Sequence, residues 1–343
     1  MRGQASGVGR QNRKKDAASS GWGWPRPSDV KRGCFVGRSI LVKPDALRRG
    51  DRVRLIAPAS PFDPGLFRAG QQVLEGFGLV PVVSRGEFAR EGFLAGSDQR
   101  RAENLKSAMQ EEDTKAVWCI RGGYGTARLL PLLDLPRLRR HPKLLVGFSD
   151  VTALLVQLMR PGGFVTIHGP VITQLPRLPA TDLRWLKALL FGTRAPQRLP
   201  LGRTRTLVPG IAEGTLVAGN LSILASLVGT RFAPDLRGAV LCLEDVNEEA
   251  YRLDRLFWQI VSAGLLKRIR GIVVGELTGC KPEGAGRHSA RRVLERAVSA
   301  LGLPALSGAA FGHGRRNLAL PVGVRARLDA GARTLTLLES AVR

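Results

Sequence analysis

Five stretches of this sequence place chemically able side chains where an apolar run gives out. Lys143 to Met159 reads KLLVGFSDVTALLVQLM, with Ser149 and Asp150 at the junction of a strand-like and a helix-like segment. A serine there can cap a helix, or it can be a nucleophile. Arg121 to Gly125, RGGYG, supplies flexible backbone N–H groups at a helix start, which can cradle a phosphate or a developing oxyanion. Glu244 and Asp245 close the run GAVLCLED, and a carboxylate leaving a buried strand needs a partner. His168 in TIHGP and His313 in AFGHGRRN each follow an apolar segment, whereas His141 and His288 lie in polar surroundings and read as surface residues. Acyl transfer by serine needs a base and an acid that orients it. On residue types alone the base is His168 or His313 and the acid Glu244 or Asp245. Asp245 or Asn247 can equally cap a helix.

Other chemistries fit less well. Gly123-Tyr-Gly125-Thr-Ala-Arg128 lacks the third glycine of a dinucleotide fingerprint and follows the third strand-like segment instead of the first. A hydrolase elbow G-x-S-x-G would have glycine where Val151 stands, although Gly147 two residues before Ser149 still permits a sharp turn. Cys34, Cys119, Cys242 and Cys280 have no paired spacing and no HExxH occurs, so neither a zinc site nor a disulfide framework is expected, and no metal or cofactor is called for. Unpaired thiols inside apolar runs point to a reducing compartment. With no signal-peptide core and no apolar run of spanning length, a soluble cytoplasmic protein with no membrane association is expected.

The formal charge of +25 invites a nucleic-acid reading. Of the 53 basic residues, 43 are arginine and 10 lysine, and the first 50 residues carry 12 of them against three aspartates. The rest are scattered, and the chain has only two tyrosines. Basic and aromatic side chains are not interleaved as a stacking groove requires, so no specific nucleic-acid partner is expected.

The elements that must position these residues alternate in type. Residues 1–45, rich in Gly, Ser, Arg and Pro, read as a disordered basic extension. From Asp51, strand-like RVRLIAP, LVPVV, KAVWCI, KLLVGF and GFVTIHGP alternate with helical patterns, including polar Gln99–Gln110, a helix from near Tyr124 and one from Val151. That alternation predicts an α/β N-terminal domain over 50–185, a parallel sheet with flanking helices and its site beyond the strands' carboxyl ends. Residues 186–210 read as a linker. A C-terminal domain over 211–340 follows, with short strands and one clear amphipathic helix in NEEAYRLDRLFWQIVSAG, striped by Leu253, Leu256, Phe257, Ile260 and Val261. Trp118 and Trp258 read as core residues.

The blocks RGGYGTARLLPLLD, LVGFSDVTALL, HGP, GNLSILASLVGT, LCLEDVNEEAYRLDRLFWQI and FGHGRRNLALPVG occur in the order and spacing of the LD-carboxypeptidase family. The chain resembles that family of serine peptidases, which includes microcin C immunity peptidases, over roughly Asp51 to Asp329. The resemblance implies a catalytic Ser149, Glu244 and His313, with the oxyanion held by N–H groups of Gly123 (or Gly122) and Asp150. It implies a barrel-like α+β C-terminal domain carrying the glutamate and histidine, and a homodimer. The implied reaction is release of terminal D-alanine from the L,D-amide of a murein tetrapeptide, in cell-wall recycling. A site for the free carboxylate is then needed, and Asn220 is a candidate beside its alternative as a turn residue. A microcin-type aminoacyl-nucleotide substrate and a non-catalytic binding role are the competing readings.

Overall fold

The computed structural model describes residues 41–159, 163–195, 197–281 and 289–343; His288, Cys34 and most of the basic extension fall outside them. Its strands run β1 (Arg52–Ile56), β2 (Val80–Val83), β3 (Thr114–Cys119), β4 (Leu144–Gly147), β5 (Thr166–His168), β6 (Gln197–Arg198) and β7 (Arg205–Val208). They continue as β8 (Ile211–Asn220), β9 (Ala239–Val246), β10 (Gly271–Thr278), β11 (Ala305–Ser307), β12 (Leu320–Val322), β13 (Arg325–Asp329) and β14 (Thr334–Leu337). The helices are α1 (Pro64–Gly76), α2 (Asp98–Gln110), α3 (Leu135–Arg139), α4 (Thr152–Leu158), α5 (Ala180–Phe191), α6 (Leu221–Ser226), α7 (Ala250–Ser262) and α8 (Ala290–Ala300).

Two sheets carry the fold. The first has the order β12-β5-β4-β3-β1-β2, parallel except for β12, which pairs antiparallel with β5. Its central strand β4, LLVG, is buried throughout, as a strand covered on both faces must be. The second sheet is mixed, in the order β6-β14-β13-β8-β9-β10-β11-β7, with β8, β9, β10 and β11 parallel at its centre. The chain is therefore of the α/β class, and the expected barrel-like domain is this eight-stranded sheet, which ends at β6 and β7.

The ends of α1 and α2 follow their sequences. Asp63 accepts from the Leu66 N–H at 2.7 Å and Pro64 opens α1, while Ser97 caps α2. Buried α4, TALLVQL, has no side-chain cap: the preceding turn is held by other means. Asp182, Leu186, Leu189 and Leu190 bury one face of α5.

Four expectations are corrected. Residues 41–45 belong to the folded body, with Val42 donating to the Gly163 carbonyl and accepting from Val165, and Arg343 donating to Pro44. The supposed linker 186–210 contains the end of α5 and the strands β6 and β7, because short extended segments there find backbone partners at the two sheet edges, β6 on β14 and β7 on β11. The helix expected near Tyr124 is a 3-10 turn over Ala127–Leu132, interrupted by Pro131, which lacks the N–H an α-helix needs. The boundary between domains is also less clean than the sequence suggests. β12, from the C-terminal part, completes the first sheet, and one contiguous apolar core spans both parts.

Candidate active site

Ser149 stands just past the carboxyl end of β4 with φ +61, a left-handed conformation that a serine adopts only under constraint. Two glycines make room for it. A Cβ on Gly147 would overlap Val151, so valine in place of the elbow's second glycine is accommodated by bare backbone four residues upstream. A Cβ on Gly122 would come within 3.0 Å of Ser149 Cβ and 3.1 Å of the Phe148 carbonyl. Ser149 does not cap α4. Its hydroxyl faces His313, with Oγ 2.9 Å from Nε2.

His313 comes from the loop between β11 and β12. Its Nδ1 lies 2.7 Å from Glu244 Oε2, and Glu244 is fully buried on β9. An ionised carboxylate only accepts, so Nδ1 carries the proton and Nε2 is free to accept from Ser149. Gly312, at φ +130, is required here, since a Cβ would sit 3.2 Å from Glu244 Cβ and 2.9 Å from Glu276 Cβ. The loop is pinned from the far side. Asn317 accepts from the Gly312 N–H at 3.2 Å and donates its own N–H to Asp182 on α5, which also receives two hydrogen bonds from Arg316. The Phe148 ring packs against the His313 ring at 4.5 Å and edge-on to His168 at 5.1 Å.

The two candidate acids separate by role. Period-two alternation along β9 sends neighbouring side chains opposite ways. Asp245 accepts from Asn220 Nδ2 at 3.0 Å, from the Ser222 N–H at 2.9 Å and from its hydroxyl at 2.6 Å. Burial raises the Asp245 carboxyl above its ordinary range, offset in part by those bonds. It anchors the start of α6. Asn220 is buried beside it, with Oδ1 accepting from the Ile223 N–H at 3.1 Å as the cap of α6. Its amide is thus engaged on both sides, donating to Asp245 and capping α6.

His168 is also fully buried, and burial drives its imidazole down to about 3, so it is neutral. It stands behind Phe148 and is not the group facing Ser149. Cys119 and Cys242 are buried with their thiols pushed up by desolvation, as core residues. Trp118 is core as expected, donating to the Pro170 carbonyl at 2.8 Å, but Trp258 is 54% exposed on α7: it lies on the outer side of the stripe formed by Leu253, Phe257 and Ile260.

The glycine turn is held at several points. Gly123 has φ +112, and a Cβ there would overlap Ser60, whose Oγ accepts the Tyr124 N–H at 3.1 Å. Among the described residues the Gly123 N–H has no acceptor. Asp150, following Ser149, is buried and accepts the Thr126 N–H at 2.7 Å, tying the turn to the Ser149 junction. Buried Arg101 donates to the Pro58 carbonyl at 2.5 Å and the Gly125 carbonyl at 3.0 Å, fastening the loop after β1 to the turn after β3. Ser149, His313, Glu244, Gly122, Gly123 and Asp150 therefore come together at the carboxyl ends of both sheets. Arg101, Asp182 and Asn317 carry no signal in the sequence, whereas Ser60 lies just past β1, on the edge where a parallel sheet gathers its site.

The chain matches the family models for the LD-carboxypeptidase N-terminal domain over residues 53–169 and C-terminal domain over 213–328. It is 37% identical over 304 residues to a probable murein peptide carboxypeptidase of Bacillus subtilis, covering 87% of this chain and 95% of that one. It is 37% identical over 289 residues to the murein tetrapeptide carboxypeptidase of Pseudomonas aeruginosa, covering 81% and 93%. The crystal structure of muramoyltetrapeptide carboxypeptidase from Oxalobacter formigenes superposes with a TM-score of 0.73 at 30% identity, covering 83% of this chain and 97% of that one. The microcin C7 self-immunity protein MccF in complex with aspartyl sulfamoyl adenosine shares the fold, with a TM-score of 0.78 at 21% identity over 88% of this chain and all of that one (100%).

Proposed function

This chain belongs to the LD-carboxypeptidase family of peptidases, and from that premise we propose that it is a serine carboxypeptidase that releases terminal D-alanine from murein tetrapeptide. The observation that supports the reading most is the continuous contact Ser149–His313–Glu244, with the serine in a left-handed turn against Gly122. In the proposed mechanism His313 Nε2 takes the Ser149 proton as Oγ attacks the amide carbonyl. Glu244 keeps the proton on Nδ1 and stabilises the imidazolium. The N–H groups of Gly123 and Asp150 receive the oxyanion, each worth about 3 kcal/mol in such sites. His313 then protonates the leaving amine, and water releases the acyl group from Ser149. The intact relay disfavours a non-catalytic role.

Similarity to murein carboxypeptidases favours the murein peptide, and with it cytoplasmic recycling. Among the described residues no helix is long and apolar enough to cross a membrane. The homodimer implied by the family is open to light scattering.

One observation favours a second reading. Tyr124, 53% exposed directly after Gly123, stacks edge-on with Phe93, 63% exposed, at 5.6 Å. Two exposed rings beside the glycine turn could receive a nucleobase, as an aminoacyl-nucleotide substrate requires. The deciding experiment gives purified protein a murein tetrapeptide and an aminoacyl sulfamoyl adenosine at equal concentration. Fast D-alanine release supports the first reading, and faster cleavage of the nucleotide overturns it. The C-terminal amide of the peptide, or a peptide ending in L-alanine, is expected to react about a hundred-fold more slowly, because a pocket built for a carboxylate is left with unpaired polar groups.

A further inference from the structure

Away from Ser149, a cleft of about 480 Å³ opens where β7, β11 and the first turn of α8 meet. Its charged lining is Arg203, Arg205, Arg291 and Arg292 against Glu276 and Glu295. The floor is buried and polar. Glu295 is 5% exposed and Ser307 2% exposed, and the Ser307 hydroxyl donates to Glu295 Oε1 at 2.5 Å while accepting from Arg291 Nη1 at 3.3 Å. Arg205 pairs with Glu295. Arg291 Nη2 stands 3.6 Å from Glu276 Oε2, an attraction without a hydrogen bond. Arg203 and Arg292 have no carboxylate partner among the described residues. Four guanidinium groups thus face two carboxylates, and two of the four are unmatched.

We infer that this cleft is an anion-binding site for a carboxylate or phosphate group, coupled to the turn that carries His313. Guanidinium groups converging on a concave surface concentrate positive potential there and offer the forked donors that oxyanions accept. Arg291 is already oriented by Ser307. The first turn of α8, capped by Ser289, adds the positive end of an 11-residue helix. The coupling runs through Glu276. Its N–H donates to the Phe311 carbonyl at 2.8 Å, and its side chain packs beneath both neighbours of His313. A Cβ on Gly312 would lie 2.9 Å from Glu276 Cβ, and one on Gly314 would lie 3.1 Å from Glu276 Cγ. An anion that draws on Arg291 competes with Glu276, so it acts on the support of the His313 turn.

Two sources could provide the anion, a carboxylate on the acyl side of the peptide substrate or a free phosphate. The test is calorimetric titration of the full chain with inorganic phosphate at constant ionic strength. Saturable binding is expected, weakened at least about tenfold in Arg203→Gln/Arg292→Gln with the melting temperature retained, as loss of two charged contacts requires. Glu276→Gln removes the competing charge and is expected to tighten phosphate binding, an effect opposite in sign to that of a damaged fold. Absence of saturable binding, or equal binding by the double variant, overturns the site and leaves the proposed peptidase reading untouched. Where D-alanine release is observed, its kinetics identify the source. Competition by phosphate with a raised KM in the double variant assigns the site to the substrate's own carboxylate. A phosphate effect on kcat with KM retained assigns it to the free ion. Failure of the peptidase reading removes only these kinetic arms, since the calorimetry does not depend on it.

Discussion

His313 Nε2 lies 2.9 Å from Ser149 Oγ across 164 residues of chain, and its other nitrogen meets Glu244 at 2.7 Å. Each member comes from a loop or strand end at the same edge of the molecule, and the His313 loop is anchored by Asp182 on α5. The relay therefore depends on the docking of the two parts of the chain, which share one core.

Ser149→Ala, His313→Ala and Glu244→Ala are each expected to lower kcat by roughly 10⁴-fold or more, with the Ser149/His313 double variant scarcely worse, because such groups act as a unit. Asp245→Asn should instead retain turnover and lose about 1–3 kcal/mol of stability, since an amide keeps one acceptor oxygen and turns an NH2 donor toward either Asn220 Nδ2 or the Ser222 N–H. Steady-state kinetics and denaturant titration separate the two effects. Near-normal activity in Ser149→Ala would end the proposed mechanism. Activity in Glu244→Ala beside an inactive Asp245→Asn would show that the other carboxylate orients the base.

Gly123→Ala is expected to lower kcat about 10²- to 10³-fold, the usual consequence of losing one oxyanion donor. The new methyl group meets Ser60 Cβ at 2.6 Å, and φ +112 is closed to alanine, so the N–H must move. Gly229→Ala is the control, with φ +83 but nothing within 4 Å of its Cβ. That variant should be less stable yet equally active. Equal kcat in the two variants would remove Gly123 from the oxyanion site.

Much of this site was legible because its members sit where strands end. The apolar runs KLLVGF and GAVLCLE each stop at a polar residue, and a parallel sheet sends all such stops to one edge. Choosing His313 over His168, and Glu244 over Asp245, was not legible from periodicity. Both histidines follow apolar segments, and both acids close one strand. The supports were illegible for a different reason. Arg101 occurs in DQRRAEN, which reads as a solvated helix face, yet its guanidinium is buried against carbonyls 24 and 43 residues away. Asp182 lies 134 residues from Arg316 in sequence, and only the tertiary fold brings it to Arg316 and Asn317. Short segments such as β6, β7 and β12 take their conformation from a neighbouring edge, so their own composition reads as loop.

Chains beginning at residue 41 and at residue 46 should differ in stability. The shorter one loses the Val42 bonds to Gly163 and Val165 and the Pro44 bond to Arg343. At about 1 kcal/mol per backbone bond, the melting temperature should fall by roughly 5–10 °C. Identical melting curves would mean that residues 41–45 contribute nothing to the body.

The last prediction concerns acid stability and rests on His168. Its imidazole is fully buried, neither nitrogen has a partner among the described residues, and burial lowers its folded value from the ordinary 6.5 to about 3. Between those values the unfolded chain binds a proton that the folded chain does not. Stability linked to His168 is therefore complete above pH 6.5 and is lost as pH falls toward 3, with a slope approaching about 1.4 kcal/mol per pH unit. Asp245 and Glu87, whose carboxyls are raised by burial, contribute in the opposite sense, but they are common to both proteins in a variant comparison. His168→Leu removes the titrating group and its two unpaired nitrogens while keeping an apolar neighbour for Phe148. Urea denaturation from pH 7.5 to 4 should show a shallower decline for His168→Leu than for the parent, by up to one proton. Parallel curves would mean that a solvent molecule or a polar neighbour already satisfies His168 and holds its proton affinity near normal.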